Sequence, residues 1–173
     1  GDRIFNKSES KKLNILYRLK KEKIIKNVGM SVYDFNILKK IILKLDIDVI
    51  QIPYNIIDRR FEQFRDLFLK KNIKIYIRSI FLQGSLLKKV EEITVLSNIY
   101  QKVRKCSKKS KQSNFEACLN FVLNNDLVDK IIVGVRNSLE IKKLINFKPK
   151  FSLGLIKFNK NEKLFAYNPS KWN

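Results

Sequence analysis

The stretch that decides the fold is IDVIQIPYNIIDRRF, Ile47 to Phe61. Its first part, Asp48-Val49-Ile50-Gln51-Ile52, is short, apolar and β-branched with one amide in the middle. That is the pattern of a buried parallel strand that sends one polar group to a ligand. Pro53 and Asn55 then stop it. A glutamine buried among isoleucines is costly without a hydrogen-bond partner, so Gln51 is expected to be aimed at a ligand or a neighbouring loop.

Upstream, Leu13, Leu16, Tyr17 and Leu19 lie between lysines and give an amphipathic helix. It is expected to be capped by Ser8 or Ser10 and to end between Glu22 and Asn27, after a polar, irregular start over residues 1–7. Val28-Gly29-Met30-Ser31-Val32 reads as a short strand, and Asp34 as the N-cap of a helix whose apolar face is Ile37, Leu38, Ile41, Ile42 and Leu45. With the opening stretch this makes a βαβ unit.

Downstream, a helix starting at Asp58 or its neighbours runs through Phe61, Phe64, Leu67 and Phe68 and closes at Lys70 to Asn72. Asp58-Arg59-Arg60 reads as its solvated start, and Tyr54 and Asn55 as turn and packing residues. Ile73 to Ile80 is the third strand and opens into Phe81-Leu82-Gln83-Gly84-Ser85. Helices follow from about Val90 to Val103 and from Ser113 to Asn124, joined by a basic linker, Lys105 to Lys111. Lys130 to Val135 is the fourth strand, and Ser138 is expected to cap a helix reaching about Asn146. Four strands alternating with helices describe an α/β fold with a parallel sheet and right-handed crossovers. Ligands of such folds sit at the carboxyl ends of the strands, which here gather Ser31, Gln51, Asn55, Arg78, Ser79, Gln83, Gly134 and Arg136. These amides, hydroxyls and arginines suit the binding of an amide or a phosphate, not proton transfer.

Composition sets further bounds. With 173 residues, 45% of them hydrophobic, the chain can build one ordinary core. Nothing near Gly1 resembles a signal peptide and no apolar run could cross a bilayer, so a cytoplasmic protein, or a piece of one, without a membrane partner is expected. The chain has no histidine, which removes the commonest general base and any Ser-His or Cys-His pair. Cys106 and Cys118 are expected to be free thiols in helix packing, and no metal site is expected. The net charge of +21 raises a nucleic-acid partner, but lysine is spread over every helix and the densest run, Arg104 to Lys111, has no aromatics to stack bases. Nucleic acid is therefore not the expected main partner.

VGMSVYD (28–34), DVIQIPYNIIDRRF (48–61), YIRSIFLQGSL (76–86) and KIIVGVRNSLEIKKLI (130–145), in that order and spacing, resemble the second half of aldo/keto reductases, and the final NPSKW resembles the end of bacterial members. The family fold is a TIM-type (β/α)8 barrel of about 250 residues. The resemblance implies that residues 1–173 form a single partial domain, the C-terminal half of that barrel (strands five to eight), with 149–173 as its tail and the N-terminal half missing. It also implies that the catalytic aspartate, tyrosine, lysine and histidine, which the family carries on its first four strands, are not in this chain.

For the retained half the resemblance implies binding of NADP or NAD. Ser31 and Gln51 match the residues that hold the nicotinamide carboxamide, which needs both a donor and an acceptor. Val32 stands where an asparagine often follows that serine. Arg78 stands where relatives place a ring stacked on the nicotinamide, and a guanidinium plane can also stack. Ser79, Gln83, Gly84 and Ser85 match the pyrophosphate loop, and Gly134, Arg136 and Ser138 the loop and helix start that receive the adenosine phosphate. Glu140 replaces a basic residue and Leu144 an asparagine, so NADH stands level with NADPH. The implied parent reduces a small-molecule carbonyl to an alcohol. The alternative is a non-catalytic half-barrel that binds a nucleotide or dimerises, and a basic nucleic-acid binder stands third.

Overall fold

The computed structural model describes residues 7–87, 95–150 and 156–167. The chain divides into two compact units, Gly1–Ile52 with Arg60–Tyr76, and Pro53–Arg59 with Ile77–Asn173. Its four strands form one sheet in sequential order, β1 (Gly29–Ser31), β2 (Val49–Pro53), β3 (Lys74–Arg78) and β4 (Lys130–Ile131). β1 and β2 are parallel, with Gly29, Met30 and Ser31 opposite Val49, Ile50 and Gln51. Asp48 accepts from the Lys74 N–H and Arg78 from the Tyr54 N–H, so β2 and β3 also run the same way. Order without reversal, with helices between strands, is the repeating β/α pattern read from the sequence.

In the first unit, α1 (Lys7–Lys21) precedes β1, and α2 (Phe35–Lys44) follows it. Asp34 caps α2 as expected, its carboxylate accepting the Asn36 N–H at 2.9 Å. Leu38, Ile41 and Ile42 of α2 and Ile50, Ile52 and Ile75 of the strands are all but fully buried. Phe35, Phe61, Phe64 and Phe68 pack as an aromatic cluster, with the Arg60 guanidinium 4.4 Å from the Phe35 ring centre. Instead of a helix beginning at Asp58, a 3-10 turn over Arg60–Phe64 leads into α3 (Arg65–Lys71). α3 ends on Asn72 in the left-handed region, φ 49°.

In the second unit, α4 (Val95–Lys109) and α5 (Asn114–Leu123) pack around Ile99, Val103, Ala117 and Cys118, joined by Leu82, Leu86 and Phe158. The basic stretch read as a linker, Lys105 to Lys111, is helical through Lys109: Ser107 continues the buried face of α4 one turn past Val103, its hydroxyl donating to the Val103 carbonyl at 2.7 Å. Ser113 caps α5 in a reciprocal arrangement with Glu116. Asn55 is a turn residue as read: its side-chain oxygen accepts the N–H groups of Ile57 and Asp58, and its amide donates to the Ser79 carbonyl. Asp58, expected to be solvated, is only 2% exposed.

β4 is shorter than expected. After Ile131 only the Ile132 N–H continues the ladder, to the Ile77 carbonyl, and Val133 to Val135 leave the sheet. Ser138 does not cap α6 (Ser138–Ile145): Asn137 does, its side chain accepting the Glu140 N–H at 3.0 Å. The stretch read as the C-terminal tail contains α7 (Lys160–Ala166), opened by a second reciprocal cap. Asn159 accepts the Glu162 N–H, and Glu162 accepts the Asn159 N–H. Val90 to Thr94 of the expected helix and the NPSKW ending lie outside the described residues. Among the described residues no helix is long and apolar enough to cross a membrane.

Candidate functional site

Two groups of the expected residues come together, one in each unit. In the first unit, β2 is buried on one face only over Val49 to Ile52. Ile50 and Ile52 are fully covered while Val49 and Gln51, which alternate with them, are half-exposed, so Gln51 is not the buried amide its neighbours suggested. Alternation follows from the period of two along a strand. Gln51 instead finds its partner on the adjacent strand, where the Ser31 hydroxyl donates to its side-chain oxygen at 3.0 Å. That leaves the Gln51 amide N–H groups and the lone pairs of the Ser31 oxygen without a protein partner among the described residues, a donor and an acceptor side by side. A primary amide has the complementary pair.

Gly29 makes the strand pairing possible. A Cβ placed there would lie 2.7 Å from the Val49 carbonyl oxygen, a separation that only a shift of backbone could relieve. Asp48, at the start of β2, ties the same pair of strands down. Its carboxylate accepts the Val28 N–H and the Lys20 ammonium, each at 2.7 Å. Burial pushes the Asp48 carboxyl up, but the Lys20 and Val28 hydrogen bonds outweigh it and hold the group below the usual carboxylate range.

In the second unit a cavity of about 540 Å³ opens between the segment after β3 and the segment after β4. Ser79, Gln83 and Gly84 line one side, Gly134, Arg136 and Glu140 the other, with Phe115 and Lys143 between them. The first segment turns sharply: Ser79, Leu82, Gln83 and Gly84 all have positive φ, from 49° to 87°. Such conformations cost free energy at residues other than glycine, and the turn closes on itself, the N–H groups of Leu82, Gly84 and Ser85 donating to the carbonyls of Ser79, Phe81 and Leu82. At Gly84 the φ of +87° is what requires glycine, since a Cβ there would meet open space.

The second segment carries its own charge balance. Glu140 accepts from Arg136 Nη2 and Nε with one oxygen, at 2.7 and 3.1 Å, and from the Arg136 backbone N–H with the other, at 2.9 Å. Arg136 is thereby aimed along α6 and partly neutralised. Lys143 lies 4.2 Å from the Phe115 ring centre, and Phe115 stacks on Phe81, so the cavity wall has an apolar, aromatic side. Phe115 and Lys143 were not among the expected site residues. The Ser113-x-x-Glu116 cap fixes the start of α5 in the sequence, but the direction in which Phe115 points depends on long-range packing. Ser138 is exposed and off the cavity wall, because Asn137 takes the cap that had been given to it. Ser85 is off the wall too, and so is Arg78, whose guanidinium donates to the Ser79 hydroxyl at 3.3 Å.

No curated protein matches the chain. Among solved structures it is similar to an aldo-keto reductase from Bacillus halodurans in its apo form, at 20% identity and a TM-score of 0.66, covering 89% of this chain and 54% of that one. The holo form of that enzyme gives the same identity and TM-score over 89% and 53%. A glycerol dehydrogenase from Gluconobacter oxydans is similar at 16% identity and a TM-score of 0.60, over 87% and 50%. The chain thus spans about half the length of these structures, and at such identities the likeness establishes a shared fold. A sequence model of the aldo/keto reductase family matches residues 6–153. The chain belongs to the aldo/keto reductase family.

Proposed function

We propose that this chain supplies strands five to eight of an aldo/keto reductase barrel, and that it binds the nicotinamide cofactor of an oxidoreductase that reduces a small-molecule carbonyl to an alcohol. The single observation that carries the reading is the cavity between Ser79–Gly84 and Gly134–Glu140, whose volume and mixed aromatic and polar lining suit a nucleotide. In this reading Ser79, Gln83 and Gly84 hold the pyrophosphate, and Gly134, Arg136 and the start of α6, capped by Asn137 and not by Ser138, receive the adenosine phosphate. Ser31 and Gln51 present an acceptor and donors to the carboxamide, and Arg78 offers a planar cation to the ring. When bound, the cofactor supplies the hydride. NADH and NADPH are both admitted: Arg136 attracts a 2′-phosphate, while Glu140 repels it and occupies the guanidinium.

The chain's own share is therefore to bind and orient. The proton donor belongs to the other four strands, supplied by preceding sequence or by another chain. Titration of the purified chain with NADH and NADPH, followed by nucleotide fluorescence, tests this. Saturable binding that weakens in Arg136→Ala is expected, with no carbonyl reduction by residues 1–173 alone. Failure of both nucleotides to bind at millimolar concentration refutes the reading.

One observation favours the alternative of a half-barrel that pairs with a second copy. On α6, Leu139 and Ile145 are 73% and 76% exposed, large apolar side chains that a partner surface would cover. Light scattering separates the readings, since a stable monomer excludes the second.

A further inference from the structure

We propose that the second unit carries a separate site for a small phosphate-type polyanion, in a cleft of about 410 Å³ formed by α4, the turn before α5, and α6. The cleft is lined by Arg104 and Lys108 of α4, Gln112 and Ser113 of the turn, and Lys143 of α6. Three cations from two helices thus face one cavity, and no carboxylate lines it among the described residues. Glu116, the acidic side chain at the start of α5, is engaged by Ser113, whose N–H and hydroxyl it accepts at 2.7 and 2.8 Å.

Arg104 is the observation that separates this cleft from a merely solvated basic face. Among the described arginines, Arg18 and Arg136 have carboxylate partners, Arg59 and Arg60 lie on phenylalanine rings, Arg78 bonds Ser79, and Arg65 is also engaged. Arg104 alone of these has no partner among the described residues, although it is half-buried. A half-buried guanidinium has given up part of its hydration, and with no anion among the described residues to replace it, it is poised for a ligand. Its planar fork matches two oxygens of a phosphate, and Lys108 and Lys143 add point charges beside it. A single carboxylate would offset one of the three charges; a trivalent anion offsets all. The cleft shares Leu87, Phe115 and Lys143 with the neighbouring cavity, but Arg104 and Lys108 belong to it alone.

The site does not depend on the dinucleotide reading, and the test keeps the two apart. Inorganic pyrophosphate is titrated calorimetrically into the full chain at low salt, with and without saturating NADH. One-to-one binding is expected in both cases. It should weaken at least tenfold in Arg104→Gln/Lys108→Gln and stay within twofold in Lys39→Gln/Lys40→Gln, which removes the same charge from the exposed side of α2. NADH affinity should stay within twofold in the first double variant. Three results overturn the site: no saturable pyrophosphate binding, equal weakening in both double variants, or loss of pyrophosphate binding when NADH is present. Thermal melts of both variants confirm that weakening is read from folded protein.

Discussion

The Ser31 hydroxyl donates to the Gln51 side-chain oxygen at 3.0 Å, between residues that are register partners on adjacent parallel strands. Register partners present their side chains to one face, and here that face is partly open to solvent. Replacing Gln51 therefore removes little that folding needs and much that an amide ligand needs. Gln51→Ala is expected to weaken NADH binding about 3- to 10-fold, the worth of a neutral hydrogen bond, about 0.5–1.5 kcal/mol. The urea midpoint should correspond to a change within ~0.5 kcal/mol. A stability loss as large as the affinity loss would make the pair a strut between strands and not a ligand contact.

How much of this was legible in the sequence depended on the range of the forces involved. The Asp34 cap, the helix start at Ser113 and the Asn72 stop were readable because each is set by residues within a few positions. Gln51 was misplaced, as buried, because an isoleucine-flanked amide looks the same whether its strand is covered on one face or two. The cap at Asn137 was assigned one residue late, to Ser138, because both residue types cap helices and only backbone geometry chooses between them. The Arg136–Glu140 pair stood in the sequence at helical spacing, but its bond to the Arg136 N–H required the turn that precedes α6. α7 was announced by Asn159-x-x-Glu162, a capping signal hidden in a stretch that otherwise reads as tail.

Gly29 should tolerate no side chain. In Gly29→Ala the new methyl would meet the Val49 carbonyl oxygen at 2.7 Å, so either the β1–β2 ladder opens or β1 moves. Overpacking of this kind costs about 1–3 kcal/mol. Chemical denaturation should show that loss, and a Gly84→Ala control should lose stability through its φ of +87° without any steric contact. An unchanged midpoint for Gly29→Ala would show that β1 and β2 are not held as closely as their register implies.

The Lys20–Asp48 pair sets a pH dependence at both ends of the scale. The Asp48 carboxyl is held low in the folded state, so its contribution is present above the unfolded value of about 3.9 and fades as pH falls through the lower folded value. Lys20 is raised, chiefly by its hydrogen bond to Asp48. Its share is complete below about 10.4 and is lost as pH rises through the folded value. Asp48→Asn should therefore be less stable than wild type at pH 7, with the gap closing on acidification below about pH 4. A gap that stays constant from pH 7 to pH 3 would mean that the charge of Asp48 is not what it contributes.

Cys118 and Cys106 should differ sharply in reactivity. Burial pushes the Cys118 thiol up to about 12, whereas Cys106 is only half-buried. The thiolate is the reactive form, so a thiol reagent at pH 8 should label Cys106 in the native chain and Cys118 only after denaturant is added. The sign for stability follows from the same shift. The folded state keeps its proton while the unfolded thiol loses it above about 8.5, so stability falls as pH rises from there toward about 12. Rapid native labelling of Cys118 would show that the α4–α5 core opens locally.

Glu162 does two jobs at one helix start, and removing it should cost more than removing its ionic partner. It is 5% exposed, accepts the Lys102 ammonium at 2.7 Å, and accepts the Asn159 N–H at 2.8 Å as part of the α7 cap. Lys102, 40% exposed, can return its ammonium to water when the carboxylate is gone, whereas the Asn159 N–H loses its acceptor. Glu162→Ala is expected to destabilise by about 1–3 kcal/mol, the range for leaving a buried polar group unsatisfied. Lys102→Ala leaves a nearly buried carboxylate that still has the Asn159 N–H, and should cost less. Urea unfolding of the two variants and of the double variant decides it. If the single losses are equal and the double adds nothing, the ion pair alone holds α7 to α4; if Glu162→Ala exceeds Lys102→Ala, the cap is the larger part.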